Sequence, residues 1–460
     1  MGGRFRNWVG VPHHRGHAAA AYFISPFDEA AVLTVDGQGE DESASLGWFR
    51  GAKYRRLQSI YSPDSIGILY GMVTDFLGLR AGWDEYKVMG MAALGDPARF
   101  ASAFQQLVRL QPDGRYRTFR TAMVFQPGYC ETMLAQLLGM AARKPSEELR
   151  QEHFDVAATL QQTTERVLFH LLERLRAMTS ASNLCLGGGV FLNSVANGRI
   201  RASGLFQNVY VPPAPGDHGG ALGAALHAWY QATGSPRVSS DFSVYAGIEP
   251  NETDMQAALS TVAGMPGIEV SRPADSIQAA ADLLAAGHII GWYQGRDEYG
   301  PRALGHRSIL ASPLRAEMKD IVNARIKHRE AFRPFAGAVP LEEAQDYFDL
   351  TGESPYMQFV FPVRTHALER IPAIAHGGTC RAQTVRQTDA PLFHALLRAF
   401  GERTGVPVLL NTSFNDADEP IVCSPADAVR TFLRTDLDAL VLGPFHVVRA
   451  GRPGSLARVV

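Results

Sequence analysis

Two histidines four residues apart are the first sign of chemistry in this chain. In VPHHRGHAAAAYF, His13 and His17 point the same way if the segment is helical, the spacing that lets two imidazoles share one metal ion, while His14 points elsewhere. Surface or capping histidines are the plain alternative. Two carboxylates add weight to the metal reading. Asp36 ends the apolar run of LTVDGQGE and Asp217 sits in PAPGDHGGALG, both where glycines leave the backbone open to a ligand. Two imidazoles and two carboxylates with open positions suit iron(II) or manganese(II) better than a closed zinc site. Spacing alone does not unite the four in space.

A second set of residues is suited to anions. GWYQGRDEYGPRALGHRSIL, residues 291 to 310, reads as strand, tight turn and strand, rich in glycine and carrying Arg302 and Arg307; arginine forks and glycine-exposed amides hold phosphate or carboxylate oxygens. A helix AEMKDIVNARIKHREAFRPF, stopped by Pro334, brings Lys327, Arg329 and Arg333. Arg333 lies between Phe332 and Phe335, where burial requires an anionic partner. Arg315, Lys319 and Arg325 read as a wet helix surface. GGTCRAQTV supplies Arg381, and LLNTSFN ends a buried strand in Asn411, Thr412, Ser413 and Asn415, whose amides and hydroxyls can satisfy phosphate or ribose oxygens. Earlier in the chain, LGGGVFLN is a strand running through Gly187, Gly188 and Gly189 into a helix near Asn193, whose free first amides would favour a nucleotide phosphate. Close strand-to-helix packing explains those glycines equally well.

The elements that must position these groups alternate between the two regular periods. HHRGHAAAAYFI is helical; EAAVLTVDG, ASLGWFRG and YRRLQSIYS read as successive strands; SIGILYGMVTDFLG, the stretch from Glu147 to Met178, and GGALGAALHAWYQA read as helices. HIIGWYQ, VPVLLNTSF and ALVLGPFHVV supply strands further on. The polar, aperiodic TGSPRVSSDFS divides the chain into an α/β domain over 1–232, a linker over 233–243 and a second α/β domain over 244–460.

Composition limits the partners. With 460 residues, 46% of them hydrophobic, the chain supports more than one folded domain. A formal charge of -2 gives no broad basic field, so nucleic acid is a poor partner and any anion handled is small and local. Four dispersed cysteines, Cys130, Cys185, Cys380 and Cys423, include no CxxC pair and argue against a disulfide framework or thiolate zinc. With no signal-like start and no membrane-length apolar run, a soluble cytoplasmic protein is expected.

Taken in order, HHRGH, TVDGQGE, EYKVMGMAALGD, GGGVFLNSVANGRI, PAPGDHGGALGAAL, EYGPRALGHRSIL, IKHREAFRPFA, TCRAQTV and LLNTSFN resemble the NodU/CmcH-type carbamoyltransferases of antibiotic and nodulation-factor biosynthesis, over nearly the whole chain. The resemblance implies an actin-like ATPase domain, similar to the tRNA threonylcarbamoyl transferases, followed by a YrdC-like domain. It implies that carbamoyl phosphate and ATP, with magnesium, become carbamoyl adenylate in the second domain, and that the first passes the carbamoyl group to a hydroxyl of a small molecule. Arg302, Lys327, Arg333 and Arg381 match the substrate-gripping positions and Ser413 and Asn415 the nucleotide side; His13, His17, Asp36 and Asp217 match an iron site.

Members of that family begin well before the histidine helix. The expectation is therefore that most of the first lobe is absent, leaving HAAAAYFI with an uncovered apolar face for a partner or a second copy. Two other readings stay open at this point: an enzyme acting on tRNA, and a subunit that only adenylates or binds a partner.

Overall fold

The computed structural model describes residues 8–118, 129–238, 242–417 and 419–451; residues 239–241 of the expected linker lie outside them. The chain separates into two compact units, Met1–Phe242 and Ser243–Val460.

In the first unit EAAVLTVDGQG, buried at every position from Ala30 to Val35, forms the central strand Glu29–Gly39. A strand covered on both faces needs apolar side chains at successive positions, which this run supplies. The sheet order is Lys53–Tyr61, Glu42–Arg50, Glu29–Gly39, Asn183–Gly187, Asn208–Tyr210. The first three form an antiparallel meander; the last two run parallel to the central strand. The parallel register sets Thr34 beside Gly187, so two residues further on Asp36 meets Gly189.

The helix His13–Phe23 packs against the helix Gly220–Thr233 and the central strand. Its alanines are what allow the approach. Ala18 to Ala21 are at most 3% exposed, Tyr22 stacks on Phe49 at 4.3 Å and Phe23 on Tyr230 at 4.3 Å. The expectation that this helix leaves an apolar face uncovered is thus corrected, because that face is filled from within the unit. The long helix Gln151–Met178 begins later than the expected Glu147 and supports the helices Ile66–Phe76 and Glu85–Ala92. After Gly187 the chain enters a short 3-10 turn, Gly189–Leu192, and the α-helix starts only at Ser194, capped by the Asn193 side chain.

The second unit is built on a nine-stranded sheet in the order Val360–Pro362, Thr379–Val385, Ala336–Pro340, Leu409–Ser413, Arg307–Ala311, Ile290–Tyr293, Ala439–Leu442, Phe445–Arg449, Ile268–Ser271. Its core joins Trp292, Leu409 and Val441 to Leu284 of the helix Ser276–Ala285 and to Phe393 and Phe400 of Pro391–Thr404. ALVLGPFHVV divides into a hairpin of two strands.

Two local expectations change. The strands flanking the arginine-rich stretch pair antiparallel, Arg307 opposite Tyr293, but the connection is a long loop over 294–306 rather than a tight turn. The expected helix through Pro334 ends early. It is α-helical over Glu317–Val322, widens into a π-helical turn over Asn323–Lys327, and stops at His328, whose φ of 44° no helix can continue. Arg333 therefore lies on non-helical backbone, and Pro334 is not the terminator.

The contact between the two packed helices sets a test. A Cβ on Gly223 would stand 1.9 Å from the Gly16 carbonyl oxygen, so Gly223→Ala must push the helices apart. Overpacking of that kind costs ~1–3 kcal/mol. Denaturant unfolding is expected to show a matching loss, and an unchanged midpoint would count against the packing described.

Candidate functional sites

The histidine helix, the end of the central strand and the turn before Gly220 bring His13, His17, Asp36 and Asp217 together, with one ligand-type atom from each lying within 4.8 Å of all the others. The two Nε2 atoms are 2.9 Å apart. His17 Nε2 is 3.0 Å from Asp36 Oδ2 and 3.4 Å from Asp217 Oδ1; His13 Nε2 is 3.7 and 3.4 Å from the same oxygens. Two nitrogen ligands at right angles on an ion with ~2.1 Å bonds stand roughly 3.0 Å apart. The arrangement therefore fits a divalent ion, with His13, His17 and Asp36 approaching from the protein side and Asp217, 78% exposed, from the open side.

Asp36 is fixed before any ion arrives. Its Oδ1 accepts from the Gly37 amide at 2.7 Å and its Oδ2 from the Gly189 amide at 2.8 Å. Burial opposes its charge, but hydrogen bonds from His13 and His17 and the Gly189 amide outweigh burial and hold the carboxyl well below the usual carboxylate range. Asp36 in turn raises the pKa of His13. His14 faces the interior, with Nδ1 2.8 Å from Thr34 Oγ1 and Nε2 3.1 Å from the Glu42 carbonyl, and burial lowers its pKa to about 4. It anchors the helix and is no ligand.

The glycine turn serves this site directly. Gly188, at φ 98°, donates its amide to the Pro215 carbonyl at 2.6 Å, and a Cβ there would meet the Val35 carbonyl oxygen at 2.2 Å. The amides of Gly188 and Gly189 are thus committed to the protein, which corrects the expectation of free amides opening a helix. Asn193 caps Ser194–Ala202 and exchanges hydrogen bonds with Gln161 at 2.8 and 3.1 Å. Gly189 and Asn193 nevertheless line a cavity of about 920 Å³ that begins at Asp36 and is walled by Tyr70, Trp83 and Tyr86. Gln161 carries no sequence signal beyond its place on a long helix.

In the second unit Lys327, Ser413 and Asn415 form one cluster. The buried Lys327 ammonium lies 2.6 Å from the Ser413 carbonyl, 2.9 Å from the Asn415 carbonyl and 2.7 Å from Asn415 Oδ1. Burial, then Arg329 and Arg333, push its pKa well below the usual lysine value. Arg381 stands opposite Ala336 on the adjacent strand, and Asn411 flanks Ala336 on the other side. Burial and the nearby Arg333 lower the Arg381 pKa to about 10, and its Nε is buried without a hydrogen-bond partner. Arg302 enters from the loop, where the carbonyl of its neighbour Ala303 accepts from Asn411 at 3.4 Å. Arg307 is structural, since it pairs with Asp297 at 2.7 Å, donates to the Gln294 and Gly295 carbonyls, and covers the Tyr293 ring. Arg325, expected to be solvated, binds Asp436 at 2.6 Å.

Comparison with known proteins gives these two sites a context. A family model for the carbamoyltransferase N-terminus matches residues 4–226, and one for the carbamoyltransferase C-terminus matches residues 281–449. The chain belongs to the carbamoyltransferase family. Nodulation protein NolO of Bradyrhizobium diazoefficiens is 41% identical over 96% of this chain and 79% of its own length. Nodulation protein NolNO of Sinorhizobium fredii is 41% identical over 95% of this chain and 63% of its own length. The 3'-hydroxymethylcephem-O-carbamoyltransferase of Amycolatopsis lactamdurans is 32% identical over 95% and 80%. A solved structure of full-length HypF covers 40% of this chain and 22% of that one at 16% identity and a TM-score of 0.27, too slight a likeness to bear on the fold. Among the described residues of this carbamoyltransferase no helix is long and apolar enough to cross a membrane.

Two outcomes are expected of the first site. Titration with manganese(II) should show about one ion per chain, weakening as acid protonates the imidazoles, and His17→Ala should abolish it; an ion retained by that variant would refute the ligand set. His14, whose folded pKa of about 4 lies below the free value near ~6.5, takes up its proton first in the unfolded chain. Stability is therefore full above ~6.5 and declines as pH falls towards 4, by roughly 3 kcal/mol. Urea unfolding at pH 7 and 4.5 should show a flatter dependence for His14→Gln; an equal slope would mean that His14 charges in place.

Proposed function

We propose that this carbamoyltransferase is ATP-dependent: its second unit, a YrdC-like domain, makes carbamoyl adenylate from carbamoyl phosphate, water and magnesium-bound ATP with release of phosphate and pyrophosphate, and its first unit, actin-like, transfers the carbamoyl group to a hydroxyl of a small-molecule natural product with release of AMP and the hydroxyl proton. The observation that carries this reading is the half-buried positive charge around Arg381, whose Nε is shut off from solvent. A guanidinium removed from water needs an anionic partner. Among the described residues Arg381 forms no ion pair, its Nε lacks a hydrogen-bond partner, and another cation, Arg333, lies near enough to act against its charge. Such a place is stabilised by a phosphate or carbamoyl oxygen from a substrate. Two phosphate-bearing substrates repel each other, and Arg302, Lys327, Arg333 and Arg381 supply the charge that holds them together. Ser413 and Asn415, already oriented by Lys327, are proposed for the nucleotide side.

In the first unit we propose iron(II) between His13, His17, Asp36 and Asp217, where it would supply Lewis-acid polarisation of the carbamoyl oxygen. The protein groups do the rest. The Gly37 and Gly189 amides keep Asp36 ionised and aimed, His14 keeps the helix from turning, and the cavity beginning at Asp36 offers room for the acceptor beside the site. The name of the Amycolatopsis relative, which acts on a hydroxymethyl group, supports a hydroxyl acceptor. Relatives in which this chain spans 63–79% of the length support a transfer reaction of the whole protein, so transfer is to be tried on the longest reading frame.

The test is pyrophosphate exchange. The chain should incorporate labelled pyrophosphate into ATP only when carbamoyl phosphate is present. Arg381→Ala should lower the rate by the ~2–4 kcal/mol typical of a lost transition-state donor, while Arg315→Ala, at an exposed position, should leave it unchanged. Exchange independent of carbamoyl phosphate, or equal effects of the two substitutions, would remove the support for this reading.

A further inference from the structure

The loop over 294–306 carries Arg302, yet its backbone is organised around an acid. Oε1 of Glu298 accepts from the amides of Leu304 at 2.9 Å, His306 at 2.8 Å and Arg307 at 3.0 Å. These are the donors that a glycine-rich loop would otherwise offer to a phosphate, and here a carboxylate of the same loop occupies them. We infer that Glu298 is the positioning residue that sets Arg302 for the anionic substrate, an inference that rests on the reading of the second unit given above.

Different parts of the loop are held by different partners. At its entry, Arg307 grips the Gln294 and Gly295 carbonyls and Asp297. At its exit, Trp292 Nε1 donates to the Gly305 carbonyl at 2.8 Å, and Tyr245 Oη and Gln383 Nε2 donate to the Leu304 carbonyl at 2.9 and 2.7 Å. Both ends are thus tied to the sheet or its surroundings. Between them, Glu298 closes the chain on itself from 298 to 304, and Arg302 lies inside that closed segment. Removing Glu298 uncovers no apolar core, because Trp292, Tyr245 and Gln383 keep the exit in place. It removes the tie that closes the segment carrying the arginine, leaving there the Tyr299 amide on the Val244 carbonyl at 2.7 Å and the Asn411 side chain on the Ala303 carbonyl at 3.4 Å.

The charge argument agrees. A carboxylate beside a site for two polyanions would weaken binding by repulsion unless its charge were taken up locally. Three amide donors converging on one oxygen do this, and a charged acceptor binds such donors about twice as strongly as a neutral one. Glutamine at this position offers an acceptor oxygen but also an NH2 group facing the same amides. Aspartate, shorter by one methylene, falls short of all three. Glutamate therefore combines reach, charge and acceptor capacity.

The test uses the full chain and steady-state pyrophosphate exchange. Glu298→Ala is expected to raise KM for carbamoyl phosphate by roughly 10- to 100-fold, the scale of a misplaced positioning group, with KM for ATP within about twofold of wild type. Glu298→Gln should recover part of that loss. If Glu298 acts through Arg302, the double variant Glu298→Ala, Arg302→Ala should be no worse than Arg302→Ala alone, whereas independent roles would multiply. Hydrogen exchange at the amides of 304, 306 and 307 should quicken at least about tenfold in Glu298→Ala. Multiplying losses, an unchanged KM for carbamoyl phosphate, or unchanged amide protection would each overturn the proposal. Should Glu298→Ala fail to fold, Glu298→Gln carries the same comparisons. If wild type shows no exchange reaction at all, the functional reading fails by itself, and amide protection still decides whether Glu298 organises the loop.

Discussion

The parallel pairing of Glu29–Gly39 with Asn183–Gly187 is the constraint on which the first unit depends. It places the end of one strand beside the turn that leaves the other, so that a carboxylate and a backbone amide distant in sequence become hydrogen-bonded partners. Everything else at the site is measured from that contact. The histidine helix is laid over the same two strands by its alanines, and His14 reaches between Thr34 and Glu42 to fix its rotation. A carboxylate held this way is ionised and oriented without an ion, which lowers the reorganisation needed when one binds.

The second unit treats charge in the opposite manner. It shields cations among neutral oxygens and other cations. Lys327 is satisfied by neutral oxygens of Ser413 and Asn415, and Arg381 is packed beside Arg333 with burial and repulsion both acting against its charge. The strands on either side hold them in register, with Ala336 paired to Arg381 on one side and to Asn411 on the other. If an anion enters there as proposed, that residual electrostatic strain is relieved, and binding and folding stability become coupled in this unit.

Much of this is legible in the chain. The four-residue spacing of His13 and His17 is a property of any α-helix, and the placing of Asp36 at the end of an apolar run follows from strand periodicity, so the cluster of His13, His17, Asp36 and Asp217 can be assembled from local rules and a resemblance. Other features depend on contacts between distant segments. The π-helical turn over Asn323–Lys327 gives no periodic signature, because it arises where Lys327 is drawn inward to Ser413 and Asn415. In sequence Glu298 is one more charge in a polar loop, and only the folded backbone shows three amides turned towards it. The apolar face of HAAAAYFI looks uncovered in sequence because its cover, Gly220–Thr233, lies about two hundred residues away and meets it through glycine. Local pattern specifies elements; it says little about which distant element closes over them.

The backbone contact between Gly16 and Gly223 has a consequence for ion choice. A helix pressed this closely against its neighbour cannot swivel, so the backbone positions from which His13 and His17 bring their nitrogens to 2.9 Å of each other are fixed. Calcium, with oxygen and nitrogen bonds of ~2.3–2.6 Å, would need those nitrogens roughly 3.3–3.7 Å apart to receive them at right angles. The first-row transition ions need no such widening. Were an ion bound there as proposed, the helix interface would set, at a distance from the ligands themselves, the frame from which they approach it.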